Sequence, residues 1–321
     1  MGAPVMNKTV KFFQKLVFHA QNSYEPKHTP AERTLDDGRI LLNDIRYGTQ
    51  YPNSYLDVYL SPVEAVKHPT LIYVHGGGYT WGKKEDYSVT TSNKGIGRFF
   101  SGLSRSGYHI VSIDYAFAPE HLYPTPILQL TEAVSFLKSN PKLGLDLSSV
   151  SFGGDSAGGQ MIGQFINIQI NDDYARELDI PQVLPKDSIK AAVFFSGLLD
   201  LEKFGVTHSK VTDKLFSKCG YAYFNTDRLE GNRNCIQASV IEHAASAFPP
   251  SFLSDGNTGS FYDQARSFSE KLTRLGVRNE LLLHPIERVK LGHGYETADS
   301  PQAVETQQRA IDFLKSVIQI Q

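Results

Sequence analysis

Ser156 stands at the centre of Gly153-Gly154-Asp155-Ser156-Ala157-Gly158-Gly159, a stretch that contains G-x-S-x-G. A serine hydroxyl is a weak nucleophile until a neighbouring base takes its proton. The glycines let the backbone turn where a Cβ would clash, which leaves the hydroxyl exposed at the apex. By itself the pattern also fits an ordinary glycine-rich turn between a strand and a helix. Two further groups shift that balance. In His75-Gly76-Gly77-Gly78, three consecutive glycines free backbone N–H groups to point at a developing oxyanion. In Leu291-Gly292-His293-Gly294-Tyr295, flanking glycines suit a loop that swings an imidazole over a sheet. Of the ten histidines, His293 is therefore the favoured general base. His75 serves the glycine loop, His121 belongs to the Pro119-Glu120-His121 loop, and His284 lies inside or at the end of a strand.

These side chains need a scaffold, and the apolar pattern supplies one. Val150-Ser151-Phe152 reads as the end of a buried strand running into the serine. Met161, Ile162, Phe165, Ile166 and Ile168 then recur at helical spacing, so Ser156 sits at a strand–turn–helix junction. Continuous apolar runs at Thr70–Val74, His109–Ile113 and Ala191–Phe195 predict strands buried on both faces. Ile40–Tyr47, Tyr55–Leu60, Ser251–Ser254 and Glu280–Leu283 complete eight predicted strands, with Tyr55–Leu60 alternating as an antiparallel or edge strand would. Helices are predicted around Ile96–Leu103, Ile127–Leu137, Tyr262–Leu275 and Val304–Ile318. Strands alternating with helices mean a mostly parallel α/β sheet covered on both faces, with functional groups beyond the carboxyl ends of the strands. Residues 1–35 read as an N-terminal arm with an amphipathic helix over 7–20, and 36–321 as the catalytic domain. The segment 198–247, after the sixth predicted strand, is too long for a simple connection and reads as an insertion forming a small cap together with the arm.

With 40% apolar and 21% charged residues, the 321-residue chain suits a globular protein with a sizeable core. A formal net charge of −2 gives no electrostatic case for nucleic acid or an anionic membrane. No apolar run approaches a membrane span, and the lysine-broken start is a poor secretory signal, so a cytoplasmic location is expected. Cys219 and Cys235 are expected as two free thiols. The sequence leaves self-association open.

The motifs His75-Gly-Gly-Gly78, Asp114-Tyr-Ala-Phe-Ala-Pro-Glu120, Gly154-Asp-Ser-Ala-Gly158 and His293-Gly294 occur in the order seen in α/β-hydrolases. Over roughly residues 40 to 320 the chain resembles their esterase branch, akin to hormone-sensitive lipase, bacterial carboxylesterases and the BD-FAE group. That resemblance implies oxyanion donors at the N–H groups of Gly76, Gly77 and Ala157, the last following directly from its place after the nucleophile. It also implies an aspartate in a Gly-x-x-Asp loop after the seventh predicted strand, and here the chain departs from the pattern. The loop reads Asp255-Gly256-Asn257-Thr258-Gly259-Ser260-Phe261, and setting Gly256 on the family's glycine puts Gly259 where the acid should be. Asp255 is the preferred replacement, expected within hydrogen-bond reach of His293, with Asp200 as the alternative. Asp263 reads as a helix-terminal residue.

The expected activity is a serine carboxylesterase that hydrolyses short-chain acyl esters through a Ser156–His293–acid triad and an acyl-enzyme. No metal or organic cofactor is implied; the expected partner is a small-molecule ester. Tyr79, Trp81 and Tyr123 either line the substrate pocket or simply pack a cap. An amidase, peptidase or carbohydrate deacetylase on the same fold, and a non-catalytic ligand-binding protein, remain alternatives.

Overall fold

The computed structural model describes Asn22, residues 31–84 and residues 95–318. The helix predicted over 7–20 lies outside the described residues. Among the described residues, nine strands form one sheet: β1 (Glu32–Thr34), β2 (Ile40–Arg46), β3 (Tyr55–Leu60), β4 (Pro69–Val74), β5 (His109–Ile113), β6 (Asp146–Asp155), β7 (Ile189–Phe195), β8 (Ser251–Asp255) and β9 (Asn279–Leu283). Their order is β1-β2-β3-β5-β4-β6-β7-β8-β9. From β5 to β9 every pairing is parallel, whereas β1, β2 and β3 add on antiparallel. The predicted α/β-hydrolase architecture is thus present. The sequence reading missed β1, so the sheet starts inside the segment assigned to the arm. It also left β3 open as an edge strand, and β3 lies inside the sheet between β2 and β5.

The central strands are apolar on both faces because both faces are covered, and their alternation sorts side chains into two cores. Leu71, Tyr73, Ile110, Val193 and Phe195 point to one side, where α1 (Gly95–Ser104) and the C-terminal helix pack through Phe99, Leu103, Ile311 and Leu314. Ile72, Val74, Val111, Phe152 and Phe194 point to the other. There they meet α2 (Thr125–Ser139) and α3 (Ala157–Ile170), which runs on into the short α4 (Asp172–Leu178).

Between β7 and β8 lies the predicted insertion. It carries α5 (Lys210–Phe224), α6 (Arg233–Ala238) and α7 (Val240–His243), and its Phe204, Phe216, Cys219, Tyr223 and Ala238 share the second core with Ile162 and Tyr79. The cap is therefore an extension of one core and has no core of its own. Completing the domain are α8 (Tyr262–Arg274), after β8, and α9 (Pro301–Val317) at the C-terminal end. Asn22, further towards the N-terminus in the segment read as the arm, contacts the loop after β5. Its amide accepts the Phe117 N–H at 2.7 Å and donates to the Phe117 carbonyl at 3.0 Å, clipping the arm to the loop after β5.

Candidate active site

β6 ends in Asp155 and α3 begins at Ala157, so Ser156 alone makes the corner, at φ 51° and ψ −116°. A non-glycine residue there is strained, and the surrounding hydrogen bonds hold it: Ser156 N–H donates to Phe195 O at 3.0 Å, and Ser156 O accepts from Leu198 at 3.1 Å. The tight corner requires Gly158, where a Cβ would sit 2.0 Å from the Val74 carbonyl oxygen. Asp155, half-buried beneath the corner, accepts from Tyr73 Oη at 2.8 Å. Burial pushes its carboxyl up, against the Tyr73 hydrogen bond, the nearby His75 and the Gly76 N–H.

Ser156 Oγ lies 2.9 Å from His293 Nε2, 137 residues away in the chain. The loop after β9 brings the imidazole over the carboxyl ends of β7 and β8. Its ring meets the edges of Phe216, from the cap, and Phe261, with centroids 4.8 and 5.1 Å away. That dry setting pushes the imidazole down to about 4, so the base is neutral near pH 7. His293 as a whole residue is half-buried, which tempers that desolvation.

The acid is where expectation and structure part. Asp255 is fully buried at the end of β8, but the partner of His293 Nδ1 is Ser260 Oγ, at 2.9 Å. Ser260 in turn donates its hydroxyl to Asp255 Oδ1. Asp255 therefore stands one hydroxyl behind the imidazole and not against it. Ser260 escaped the sequence reading because a serine in a polar loop carries no signal of its own; the displaced aspartate at Gly259 was the only hint. Burial, with the nearby Glu296, pushes the Asp255 carboxyl well above the usual range. Asp200 is excluded as that partner, since it caps a short turn at Glu202 N–H and pairs with Lys203 Nζ at 2.7 Å. Asp263 pairs with His208 at the surface.

Glu296 was not anticipated either. Fully buried, its carboxylate accepts from Ser196 N–H (3.0 Å), Ser196 Oγ (2.8 Å) and Ser254 Oγ (2.8 Å). Ser196 Oγ also accepts from Gly294 N–H at 3.1 Å, so one carboxylate ties the histidine loop to the ends of β7 and β8. Burial pushes it up to about 7 against those hydrogen bonds.

The glycine loop lies on the other side of the serine. A Cβ on Gly76 would fall 2.3 Å from Asp155 Oδ2 and 3.1 Å from Ser156 Cβ, so this backbone presses on the nucleophile. Among the described residues, the N–H groups of Gly77, Gly78 and Ala157 make no hydrogen bond; that of Gly76 faces the Asp155 carboxyl. The loop is pinned at both ends. His75 stacks on Tyr115 at 4.5 Å, and its Nε2 is 3.3 Å from Asp114. Lys84, buried, holds Asp44 at 2.8 Å and Asp57 at 3.0 Å while its N–H meets Asp114. Burial disfavours that ammonium, but Asp57, Asp114 and Asp44 outweigh it and raise its pKa.

Of the three aromatic pocket candidates, Tyr79 and Tyr123 both pack on Tyr223 of the cap. Tyr79 is fully buried, stacked on Tyr223 at 3.7 Å with its hydroxyl on Gln160 at 2.8 Å. Tyr123 accepts from Gln164 at 2.8 Å inside the same cap–helix contact. Both belong to packing. Trp81, half-buried, lies beside Gly77. No group of three or more metal-ligating side chains occurs among the described residues, and no helix among them is long and apolar enough to cross a membrane.

Known proteins share both the sequence and the architecture. The carboxylesterase NlhH of Mycobacterium tuberculosis is 25% identical over 266 residues, 81% of this chain and 77% of its own. The esterase LipC of that organism is 28% identical over 281 residues, 85% of this chain and 64% of its own. Among solved structures, esterase B from Lactobacillus rhamnosis has a TM-score of 0.69 at 18% identity and covers 89% of this chain with 88% of its own. A bacterial esterase of the hormone-sensitive lipase family has a TM-score of 0.64 at 20% identity over 99% of each chain. Such distant structural likeness carries the fold alone. The BD-FAE sequence profile matches residues 56–272, well over half of the chain. With that match and a nine-stranded sheet of this order, the chain belongs to the BD-FAE family of α/β-hydrolases.

Proposed function

We propose that the protein is a serine carboxylesterase acting on short-chain acyl esters. The observation that carries this reading is the 2.9 Å contact between His293 Nε2 and the hydroxyl of a strained corner serine. His293, neutral in its dry site, takes the Ser156 proton as Oγ bonds to the ester carbonyl carbon. Negative charge then develops on the carbonyl oxygen beside the unengaged N–H groups of Gly77 and Ala157, with Gly76 pressed against the same serine. His293 gives the proton to the departing alkoxide, and water, activated by the same base, releases the acid from Ser156. The names of the curated relatives support an ester as the substrate. An intact serine–histidine contact argues against a purely ligand-binding role.

A fluorophosphonate probe tests the reading. The wild type should be labelled at one serine and should hydrolyse p-nitrophenyl acetate. Ser156→Ala should lose both while melting within a few degrees of the wild type, because a small corner side chain contributes little to stability. Residual hydrolysis above a trace in Ser156→Ala would overturn the assignment.

A further inference from the structure

We infer that Ser260 is the positioning residue for the His293 imidazole, and that Asp255 acts on the base only through the Ser260 hydroxyl. The inference rests on the Ser156–His293 reading and adds a fourth member to it. A general base must present a lone pair at Nε2, so its proton must reside on Nδ1 and needs an acceptor there. Ser260 Oγ, 2.9 Å away, is the polar atom at Nδ1 among the described residues. A hydroxyl can donate or accept, so something must choose its direction. Asp255 makes that choice, because Ser260 gives its proton to Oδ1 and turns its lone pairs to Nδ1–H. The chain of donors then runs one way, from His293 to Ser260 to Asp255.

The cap explains why the carboxylate stands back. Gly259 has φ +59°, and a Cβ there would lie 2.7 Å from Thr212 Oγ1 and 3.3 Å from Ser209 Cβ, at the start of α5. A side chain at position 259 would need room that the cap helix occupies. The chain therefore delivers the acceptor from position 260, and the carboxylate from the end of β8 supports it from behind.

No proton crosses the Ser260 hydroxyl. As Ser156 Oγ bonds to the carbonyl carbon, its proton moves to Nε2 and the carbonyl π pair moves to oxygen. As the tetrahedral species collapses, that proton leaves Nε2 with the alkoxide. Throughout, Nδ1–H stays on His293 and the hydroxyl proton stays on Ser260. Asp255 is needed as an acceptor, a role open to either its carboxylate or its neutral form and to an asparagine oxygen.

This makes the consequences of substitution differ from those of an acid in direct contact. Ser260→Ala should lower kcat by about 10²-fold with KM within about threefold of the wild type. Asp255→Asn should cost less than about tenfold, against about 10⁴-fold for an acid that holds the imidazole itself. In a double-mutant cycle, Ser260→Ala/Asp255→Asn should lie within about threefold of Ser260→Ala alone, since Asp255 has nothing left to act through. Rates are referred to the folded fraction from thermal melts, and the asparagine variant alone decides the matter if Ser260→Ala does not fold. Full activity in Ser260→Ala, a loss near 10⁴-fold in Asp255→Asn, or losses that multiply in the cycle would overturn the inference. Probe labelling separates the two levels. An unlabelled wild type sinks the esterase reading and this inference with it, whereas equal labelling of wild type and Ser260→Ala sinks only the role of Ser260.

Discussion

Phe216 and Phe261 pack steeply against His293, and burial of the imidazole lowers the pH at which the base can work. The serine proton can be accepted only by neutral imidazole, so kcat/KM should rise as His293 deprotonates. Read from sequence alone, the limb belongs at ~6–7.5, where ordinary histidines titrate. Burial moves it down toward about 4. Activity on an activated ester should therefore hold nearly constant from pH 8 to 6 and fall only below that. Phe216→Ala should let water reach the ring and move the limb upward. A wild-type limb at 6.5 or higher would contradict the dry site. Ser156, His293 and the glycine loop were legible because each needs a distinctive residue among glycines. Ser260 and Glu296 were not, because their roles come from how two loops fold over one another and neither residue type announces itself.

One loop carries the base, and one carboxylate holds that loop. Glu296 joins Gly294, through Ser196, to the ends of β7 and β8. Removing it in Glu296→Ala should leave three donors unpaired and let the imidazole drift, lowering kcat by about 10²-fold, as small misplacements do. Glu296→Gln keeps the shape and removes the charge, so its effect on stability depends on pH. The wild-type carboxyl titrates at about 7 when folded against 4.5 as its ordinary value. Its contribution is fully present below about 4.5 and is lost as pH rises through 7. The melting temperature of Glu296→Gln minus that of the wild type should accordingly grow between pH 5 and pH 8, measured by paired thermal melts; a constant difference would refute it. The strands of the parallel sheet were legible within a residue or two, since burial on both faces leaves long apolar runs, except β6, of which only Val150–Phe152 was read out of Asp146–Asp155. The three-residue β1 was not, because Glu32-Arg33-Thr34 buries nothing large and owes its form to pairing with β2.

At the scale of the molecule, one face of the sheet carries helices alone and the other carries helices and the cap. Phe204, Phe216 and Tyr223 of the cap belong to the same core as Tyr79 and Ile162, and the short-chain reading proposed above takes this close seating to limit the depth over Ser156. p-Nitrophenyl acetate and butyrate should therefore be hydrolysed faster than the palmitate, and the reverse order would overturn this. The cap also holds both cysteines of the chain, and both are free and buried. A Cβ on Gly78 would come 3.1 Å from Cys219 Sγ, so this thiol rests on the loop beside the nucleophile. Burial pushes both thiols up to about 12, which leaves almost no thiolate in the closed protein. A disulfide reagent such as dithionitrobenzoate should then react only during excursions in which the cap lifts, at a rate proportional to the open fraction when reclosing is fast. Phosphonylation of Ser156 should slow that reaction, and unfolding should release both thiols at once. Unchanged kinetics after phosphonylation would show that the cap opens independently of the site. Slower reaction after phosphonylation would make the two thiols a built-in clock for how often the serine is uncovered, readable by the mass of the adducts without attaching any reporter.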